Sequence, residues 1–224
     1  MSALRGVLLD VDGTLIDSNP AHAQSWADAF KEFSYDIPAD RVRPLIGKGG
    51  DKLLPELTGL DNEDDLAKRL TRRRGEIFTA SYLPTLRAFP GAHELLARFK
   101  SAGLQLVIAT SADAKDLRNL LEQAGLEELV ERKVSSSDAD ASKPDPDIIQ
   151  AALKKGGLAA DEALMLGDTP YDIEAATRAG VGTVAFRCGG WGDSDLGGAL
   201  AVYDGAAQLL AEYERSPFAG HKHL

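Results

Sequence analysis

The chain has 224 residues, of which 44% are hydrophobic and 27% are charged, and its formal net charge at pH 7 is −10. This length can form one good core and a smaller inserted domain. The strong negative charge argues against nucleic acid or an anionic membrane surface as a partner. The only cysteine, Cys188, excludes an intramolecular disulfide, so we expect a cytoplasmic protein. We find no apolar stretch of membrane-spanning length and expect no secretory leader.

The predicted elements alternate between strands and helices. The segment "FPGAHELLARFKSAG" has helical spacing and stops at Gly103, while "DPDIIQAALKKGG" predicts a helix with Asp145 as its N-cap. The segment "DTPYDIEAATRAG" repeats this device with Thr169 and Pro170. Such alternation is typical of a doubly wound parallel sheet, a Rossmann-like α/β fold. The predicted strands are residues 4–11, 104–110, 129–135, 163–167, 182–186 and 201–203.

One stretch breaks the alternation. Between residues 19 and 86 only helical patterns occur, most clearly in "PAHAQSWADAFKEF" and "NEDDLAKRLTRRRGEIFTASYL". We therefore predict a helical domain at residues 19–86, inserted into a core domain of residues 1–18 and 87–224. A glycine-rich loop at residues 47–50 lies inside this insertion.

Residues able to do chemistry fall at the ends of the predicted strands. Asp10 and Asp12 end the first strand, Thr110 ends the second, and Asp168 follows the fourth. Lys143 lies in a loop before a helix. Because ligands of open α/β sheets bind beyond the carboxyl ends of the strands, we expect these side chains to gather at one edge. Convergent carboxylates are typical ligands of a hard divalent cation such as Mg²⁺, which would offset their mutual repulsion.

This grouping predicts phosphoryl chemistry. A carboxylate beside Mg²⁺ can attack phosphorus and form an aspartyl-phosphate, which is one of the known covalent strategies. A second carboxylate two residues away is placed to act as general acid and base. The metal and Lys143 would also allow an anionic phosphate to approach a carboxylate that otherwise repels it.

The sequence resembles the haloacid dehalogenase superfamily of phosphohydrolases over nearly its whole length. The segments "DVDGTLIDS", "VIATS", "SKPDP" and "GDTPYD" match the four motifs of that superfamily in order. The helical insertion resembles the small cap of the phosphoglycolate phosphatase and β-phosphoglucomutase branch. The dehalogenases of the superfamily lack the second aspartate of the first motif, so the presence of Asp12 favours phosphoryl transfer.

The resemblance implies a role for each motif residue. Asp10 would be the nucleophile and, together with Asp168, a metal ligand. Asp12 would be the general acid and base and would bind the metal through its backbone carbonyl. Thr110 and Lys143 would hold the phosphoryl oxygens, and Lys143 would also pair with Asp10.

Two further residues have a structural alternative beside the functional one. Asp172 would support the metal site, but as the third residue of a helix it also stabilises the helix terminus by itself. Ser111 would contact the substrate beside Thr110, or it would serve as N-cap of the helix that follows.

The insertion contributes candidates that are expected to approach the substrate: His22, Gly47 and Lys48. In the mutase branch a histidine at the position of His22 helps govern the proton of the general acid, although a lone histidine on a helix is more often structural. We interpret the basic run at residues 68–74, which ends with Arg74, as a solvated helix face and not as a surface for nucleic acid.

Three functions are compatible with these features. We favour a Mg²⁺-dependent phosphatase that acts on a small phosphorylated metabolite as a monomer or weak homodimer. The alternative is a sugar-phosphate mutase, but Gly50 stands where the related mutase has an arginine, so Lys48 or Arg43 would have to replace it. The third possibility is a non-catalytic, receiver-like phosphate-binding protein, but such a protein would need neither Asp12 nor a cap.

Overall fold

Six strands form one parallel sheet in the computed structural model, which describes residues 3–219. The strands are β1 (Gly6–Leu9), β2 (Gln105–Ala109), β3 (Arg132–Val134), β4 (Ala163–Gly167), β5 (Gly182–Phe186) and β6 (Ala201–Tyr203). Their order across the sheet is β3-β2-β1-β4-β5-β6. The doubly wound parallel sheet expected from the sequence is therefore confirmed. The strand order reverses direction between β1 and β4, which is where such sheets bind their ligands.

Helices cover both faces of the sheet and form the insertion between β1 and β2. Those of the insertion are α1 (Asn19–Glu32), α2 (Ala39–Val42), α3 (Gly50–Thr58) and α4 (Asp65–Ile77), and α4 continues into a π-helical turn at Phe78–Tyr82. Those of the α/β part are α5 (Ala92–Ser101), α6 (Ala114–Ala124), α7 (Asp147–Gly156), α8 (Pro170–Arg178) and α9 (Ala206–Ala211). Within residues 3–219, none of the helices combines the length and the apolar character that crossing a membrane requires.

Burial on both faces explains why the central strands β1 and β4 are purely apolar. In β1, Val7 and Leu9 point into one cluster with Phe99 of α5, and Leu8 points into another with Ile149 of α7. Successive side chains of a strand alternate between the two faces, so a strand covered on both sides has few positions for polar side chains. The sheet edge is therefore the place where polar side chains can gather.

The inserted helices pack around a core of their own. Phe30 of α1, Leu53 of α3 and Leu70 of α4 belong to one cluster, separate from those on the sheet. The two segments that connect the insertion to the α/β part lie side by side. The N–H of Asp17 in the first donates to the carbonyl of Arg87 in the second at 3.2 Å. These features support an inserted helical cap, and we propose residues 19–86 as its bounds.

One predicted helix start is wrong. The helix α7 begins at Asp147 with Pro146 at the N-cap position, so Asp145 does not cap it. The carboxylate of Asp145 instead forms ion pairs with Lys52 and, at 3.0 Å, with Arg178. Asp145 thus pairs with two cations from other segments instead of capping the adjacent helix, and local sequence patterns do not predict such distant pairs.

The start of α6 excludes one of the two alternatives for Ser111. Asp113 is the N-cap of α6, and its carboxylate accepts from the backbone N–H groups of Lys115 and Asp116 at 2.8 Å each. Ser111 is therefore not the cap, and its hydroxyl is available for other contacts.

Candidate active site

Charged side chains from three loops meet at the carboxyl edge of β1 and β4. The N–H of Asp10 donates to the carbonyl of Leu166 at 2.9 Å, so this aspartate is still held by the sheet. Lys143 Nζ lies 2.7 Å from Asp10 Oδ1 and 2.6 Å from Asp172 Oδ1. Carboxylate oxygens of Asp10, Asp168 and Asp172 lie within 4.8 Å of one another, and all three residues are buried. The structure thus brings together the residues that the motifs had indicated.

Asp10 and Asp168 share a single hydroxyl proton. Thr14 Oγ1 lies 3.0 Å from Asp10 Oδ2 and 2.8 Å from Asp168 Oδ1, and it can donate to only one of them at a time. Asn19 Nδ2 donates to Asp168 Oδ2 at 3.0 Å. Burial raises the pKa of Asp10 to about 7, and burial together with the neighbouring carboxylates raises the pKa of Asp168. Lys143 offsets part of the charge of Asp10, whereas the contacts of Asp168 with Thr14 and Asn19 bring it hydrogen-bond donors but no full positive charge.

The donor set fits a hard divalent cation. Buried carboxylates supply oxygen ligands, and Lys143 offers them only one positive charge. Two glycines make room for the Asp168 carboxylate. A Cβ on Gly189 would lie 1.7 Å from Asp168 Oδ2, and a Cβ on Gly13 would lie 2.3 Å from the same atom. The chain around Asp168 is thus shaped to keep this carboxylate in place.

Asp172 caps its helix and also contacts a second site residue. Its Oδ2 accepts from the N–H of Asp168 at 3.2 Å and from the N–H and hydroxyl of Thr169 at 3.0 and 2.8 Å, as in a capping box. Its Oδ1 pairs with Lys143. Burial alone would lower the pKa of Lys143, but the carboxylates of Asp10 and Asp172 raise it above its ordinary value, so the ammonium stays charged. A direct role for Asp172 at a metal remains a prediction.

Asp12 is oriented toward the helical cap. Its Oδ1 accepts from Ser18 Oγ at 2.5 Å and lies 2.7 Å from His22 Nε2. Burial alone would raise the pKa of Asp12, but its contacts with His22 and Ser18 hold it below the ordinary value. The ring of His22 is fixed by stacking on Phe78, with 4.3 Å between ring centroids. The structure therefore places His22 beside the expected general acid and base.

A cavity of about 660 Å³ separates this edge from the cap. Its volume suits a small molecule. The α/β part contributes mainly motif residues, serines and carboxylates to the wall, including Asp10, Asp12, Thr110, Ser111, Asp113, Asp116, Asp140 and Ser142. The cap contributes mainly aromatic, cationic and glycine residues, including His22, Trp26, Gly47, Lys48, Lys68, Arg72 and Arg74.

The glycine-rich loop of the cap is seated on the α/β part. Ser111 Oγ donates to the carbonyl of Gly47 at 3.2 Å. Gly47 has a φ of +107°, and a Cβ there would lie 2.8 Å from Thr169 Cγ2. A Cβ on Gly49 would lie 2.1 Å from Ser142 Oγ. This loop therefore needs glycine in order to close over the strand ends.

Neither cation that could replace the mutase arginine is free in the cavity. Lys48 lines the cavity but pairs with Glu56 at 2.6 Å, and its ammonium lies 5.1 Å from the ring centroid of Tyr171. Arg43 is exposed, lies against Gly190 and is not among the described residues that line the cavity.

The interpretation of the basic run as a solvated face is wrong for Arg74. Its side chain is only 12% exposed. It donates to His22 Nδ1 and forms an ion pair with Asp116 of α6 at 3.1 Å. Its neighbour Arg73 does face outward and pairs with Glu32 at 2.6 Å.

Comparison with known proteins places these features in a family. The sequence model described as haloacid dehalogenase-like hydrolase matches residues 7–186. The chain belongs to this family. The phosphoglycolate phosphatase of Rhodospirillum rubrum is 33% identical over 215 residues, which cover 92% of this chain and 89% of that protein. The crystal structure of a hydrolase from Pseudomonas syringae has 30% identity and a TM-score of 0.88, and the match covers 94% of this chain and 98% of that one.

A mutase shares the fold as well. The β-phosphoglucomutase of Clostridium difficile has a TM-score of 0.84 at 19% identity, over 96% of this chain and 97% of that one. At this identity the likeness shows the fold alone. Family membership confirms that this haloacid dehalogenase-like hydrolase is an enzyme of the phosphatase type, as the four motifs predicted.

Sequence reasoning missed four residues that organise the site: Thr14, Asn19, Arg74 and Asp116. A signal for Arg74 was present, because the buried residues Ala67, Leu70, Ile77 and Phe78 continue through its position at helical spacing. An arginine inside an apolar stripe indicates a buried charge with a partner. No local signal connects it to Asp116, which lies 42 residues further along the chain.

Proposed function

We propose that the chain is a Mg²⁺-dependent phosphatase that hydrolyses a small phosphorylated metabolite through an aspartyl-phosphate on Asp10. The observation that carries the proposal is the setting of Asp10. It lies between the ammonium of Lys143 and the hydroxyl of Thr14, lines a cavity of small-molecule size, and has a second carboxylate, Asp12, on the cavity wall. This setting supports Asp10 as the nucleophile, with a cation paired to it and a second carboxylate on the same cavity wall as the proton carrier.

The carboxylates would hold the metal. Asp10 and Asp168 would be ligands, Asp12 would contribute its backbone carbonyl, and Asp172 would support the site. When bound, Mg²⁺ would supply the positive charge that neutralises these carboxylates and the phosphoryl oxygens. Lys143 and Thr110 would bind the remaining phosphoryl oxygens.

The first step transfers the phosphoryl group to the enzyme. An oxygen of Asp10 forms a bond to phosphorus, the bond from phosphorus to the leaving oxygen breaks, and Asp12 donates a proton to that oxygen. Because the pKa of Asp12 is held below its ordinary value, it must first take up a proton, which the negative charge of a bound phosphate favours.

The second step returns the enzyme to its starting state. Asp12, now ionised, takes a proton from a water molecule, and the water oxygen bonds to phosphorus as the bond to Asp10 breaks. Inorganic phosphate is released. The closed cap shields the cavity from bulk water between the two steps.

Activity measurements on a panel of phosphate monoesters test this proposal. We expect release of inorganic phosphate with Mg²⁺, none in excess chelator, and recovery when Mg²⁺ is restored. Asp10→Asn keeps the shape of the side chain but removes the attacking charge, so turnover should fall by at least about 10³-fold. Asp140→Asn, which removes an exposed carboxylate from the same cavity wall, is the matched control and should keep turnover near wild type.

Full activity in chelator would overturn the metal requirement. Near-normal turnover of Asp10→Asn would overturn the covalent route.

The mutase alternative differs in the acceptor of the phosphoryl group. A mutase must hold a bisphosphate by its far phosphate, for which the planar fork of an arginine is well suited. Here Gly50 is exposed, Lys48 pairs with Glu56, and neither offers such a fork. With β-glucose 1-phosphate, Mg²⁺ and a trace of the bisphosphate, we expect inorganic phosphate to form faster than glucose 6-phosphate. Faster formation of glucose 6-phosphate would favour the mutase.

A further inference from the structure

Four side chains form a continuous line from the α/β part, through the cap, and back to the α/β part. They are Asp12, His22, Arg74 and Asp116. His22 Nε2 lies 2.7 Å from Asp12 Oδ1, Arg74 donates to His22 Nδ1, and Arg74 Nη1 lies 3.1 Å from Asp116 Oδ2. None of the four side chains is more than 14% exposed. The middle two belong to the cap, so the line exists only when the cap is closed.

The contact with Arg74 fixes the state of the His22 ring. A guanidinium has only donors and stays charged, so Nδ1 must accept its hydrogen bond. The ring proton is then on Nε2, where it is donated to Asp12 Oδ1. Arg74 therefore sets both the orientation and the tautomer of the group that contacts Asp12.

Arg74 in turn depends on the α/β part. Its guanidinium lies over the rings of Phe78 and Trp26, at 4.9 and 5.5 Å from their centroids, and its Nε has no hydrogen-bond partner among the described residues. A cation held this dry needs an opposite charge. Asp116 supplies it from α6. Opening the cap would remove that partner.

We propose that Arg74 is a positioning residue for proton transfer by Asp12, and that Asp116 makes this positioning dependent on closure of the cap. This inference rests on the proposed phosphatase function. Closure over a substrate would thus orient His22 against Asp12 when the general acid has to act. Before closure Arg74 lacks its anchor, and His22 is not held against Asp12.

Substrates with different leaving groups separate this role from a structural one. An alkyl phosphate needs a proton on its leaving oxygen, whereas p-nitrophenyl phosphate releases a stable anion without one. Because kcat/KM reports the steps up to departure of the leaving group, Arg74→Met should lower it about 10²-fold for ethyl phosphate and less than about 3-fold for p-nitrophenyl phosphate. Asp116→Asn should show the same selectivity with a smaller loss, and Arg74→Lys should recover part of the activity.

The neighbouring Arg73→Met is the matched control, because Arg73 pairs with Glu32 on the outside of the cap and should affect neither substrate. Circular dichroism checks that each variant is folded. Asp116→Asn nearly preserves shape, so it keeps the test open should Arg74→Met not fold. Equal losses on both substrates in the folded variants, or no loss on either, would overturn the proposal.

Fluorescence gives a second readout that does not depend on turnover. The chain has two tryptophans, and Trp26 lies under Arg74 on the cavity wall. In a Trp191→Phe background, titration with inorganic phosphate and Mg²⁺ should change the emission of Trp26, and Asp116→Asn should weaken this response. A response of Asp116→Asn equal to that of the Trp191→Phe background would contradict closure through Asp116.

If the wild type hydrolysed neither ester, the proposed function would fail. The titration would then still test whether closure of the cap depends on Asp116.

Discussion

At the scale of single residues, the site is built from charges that depend on one another. Lys143 has a side chain only 1% exposed and lies between Asp10 and Asp172. Removing one partner of such a buried pair usually costs more than the pair itself contributes, because the remaining charge stays buried. Asp172 therefore matters for Lys143 as much as for the helix that it caps.

Two variants separate these roles of Asp172. Thr169→Ala removes the hydroxyl of the capping box and should lower the free energy of unfolding by about 1 kcal/mol. Asp172→Ala removes the cap and also one of the two carboxylates beside Lys143, so we expect a larger loss, which stays below the roughly 3–5 kcal/mol of a fully broken buried pair because Asp10 still pairs with Lys143. Urea denaturation in Mg²⁺ buffer measures both. Equal losses would mean that Asp172 acts only as a helix cap.

At the scale of elements, the glycine loop of the cap has to seat on the start of α8. Gly47 and Gly59 both have a positive φ, +107° and +73°, but only Gly47 contacts the α/β part. Alanine at either position should cost about 1–2 kcal/mol of backbone strain. The two positions differ in what a methyl group would meet.

This difference gives a matched pair of variants. Gly47→Ala would place a Cβ against Thr169 and keep the loop from seating, so we expect kcat/KM for phosphate esters to fall at least about 10-fold. Gly59→Ala should lower the melting temperature by a similar amount and leave kcat/KM near wild type. If both variants keep full activity, closure of this loop is not required for turnover.

The elements themselves were largely readable from the sequence, because apolar runs and helix stop signals are local. The position of Asp10, Thr110 and Asp168 at one edge followed instead from topology, because the carboxyl ends of parallel strands meet at the same edge of the sheet. The solvated face predicted for the basic run is wrong at Arg74, because composition alone does not show that this position lies on the buried stripe of α4. The pairing of Asp145 with Lys52 depends on the closed cap, which local patterns do not specify.

At the scale of the whole molecule, the fold holds an anionic cluster that opposes its own stability. The carboxylates of Asp10, Asp168 and Asp172 are buried together in a chain whose formal net charge is already −10. Burial penalises the ionised forms, so the protein without a metal is under electrostatic stress at neutral pH. Stability, metal binding and pH are therefore linked.

This linkage predicts a pH-dependent stabilisation by Mg²⁺. The pKa of Asp10 is raised from 3.8 to about 7, and the pKa of Asp168 is also raised. Without metal, the folded state binds more protons than the unfolded chain between these values, so this contribution to the free energy of unfolding is lost as pH rises from about 4 to about 7. Mg²⁺ binds the ionised cluster of the folded state, so the stabilisation of the fold by Mg²⁺ should grow over the same range.

Melting temperatures with Mg²⁺ and with chelator should differ more at pH 8 than at pH 5. Asp168→Asn should shrink that difference, and Asp140→Asn should preserve it. A difference that is independent of pH, or one that Asp168→Asn leaves intact, would place the metal elsewhere.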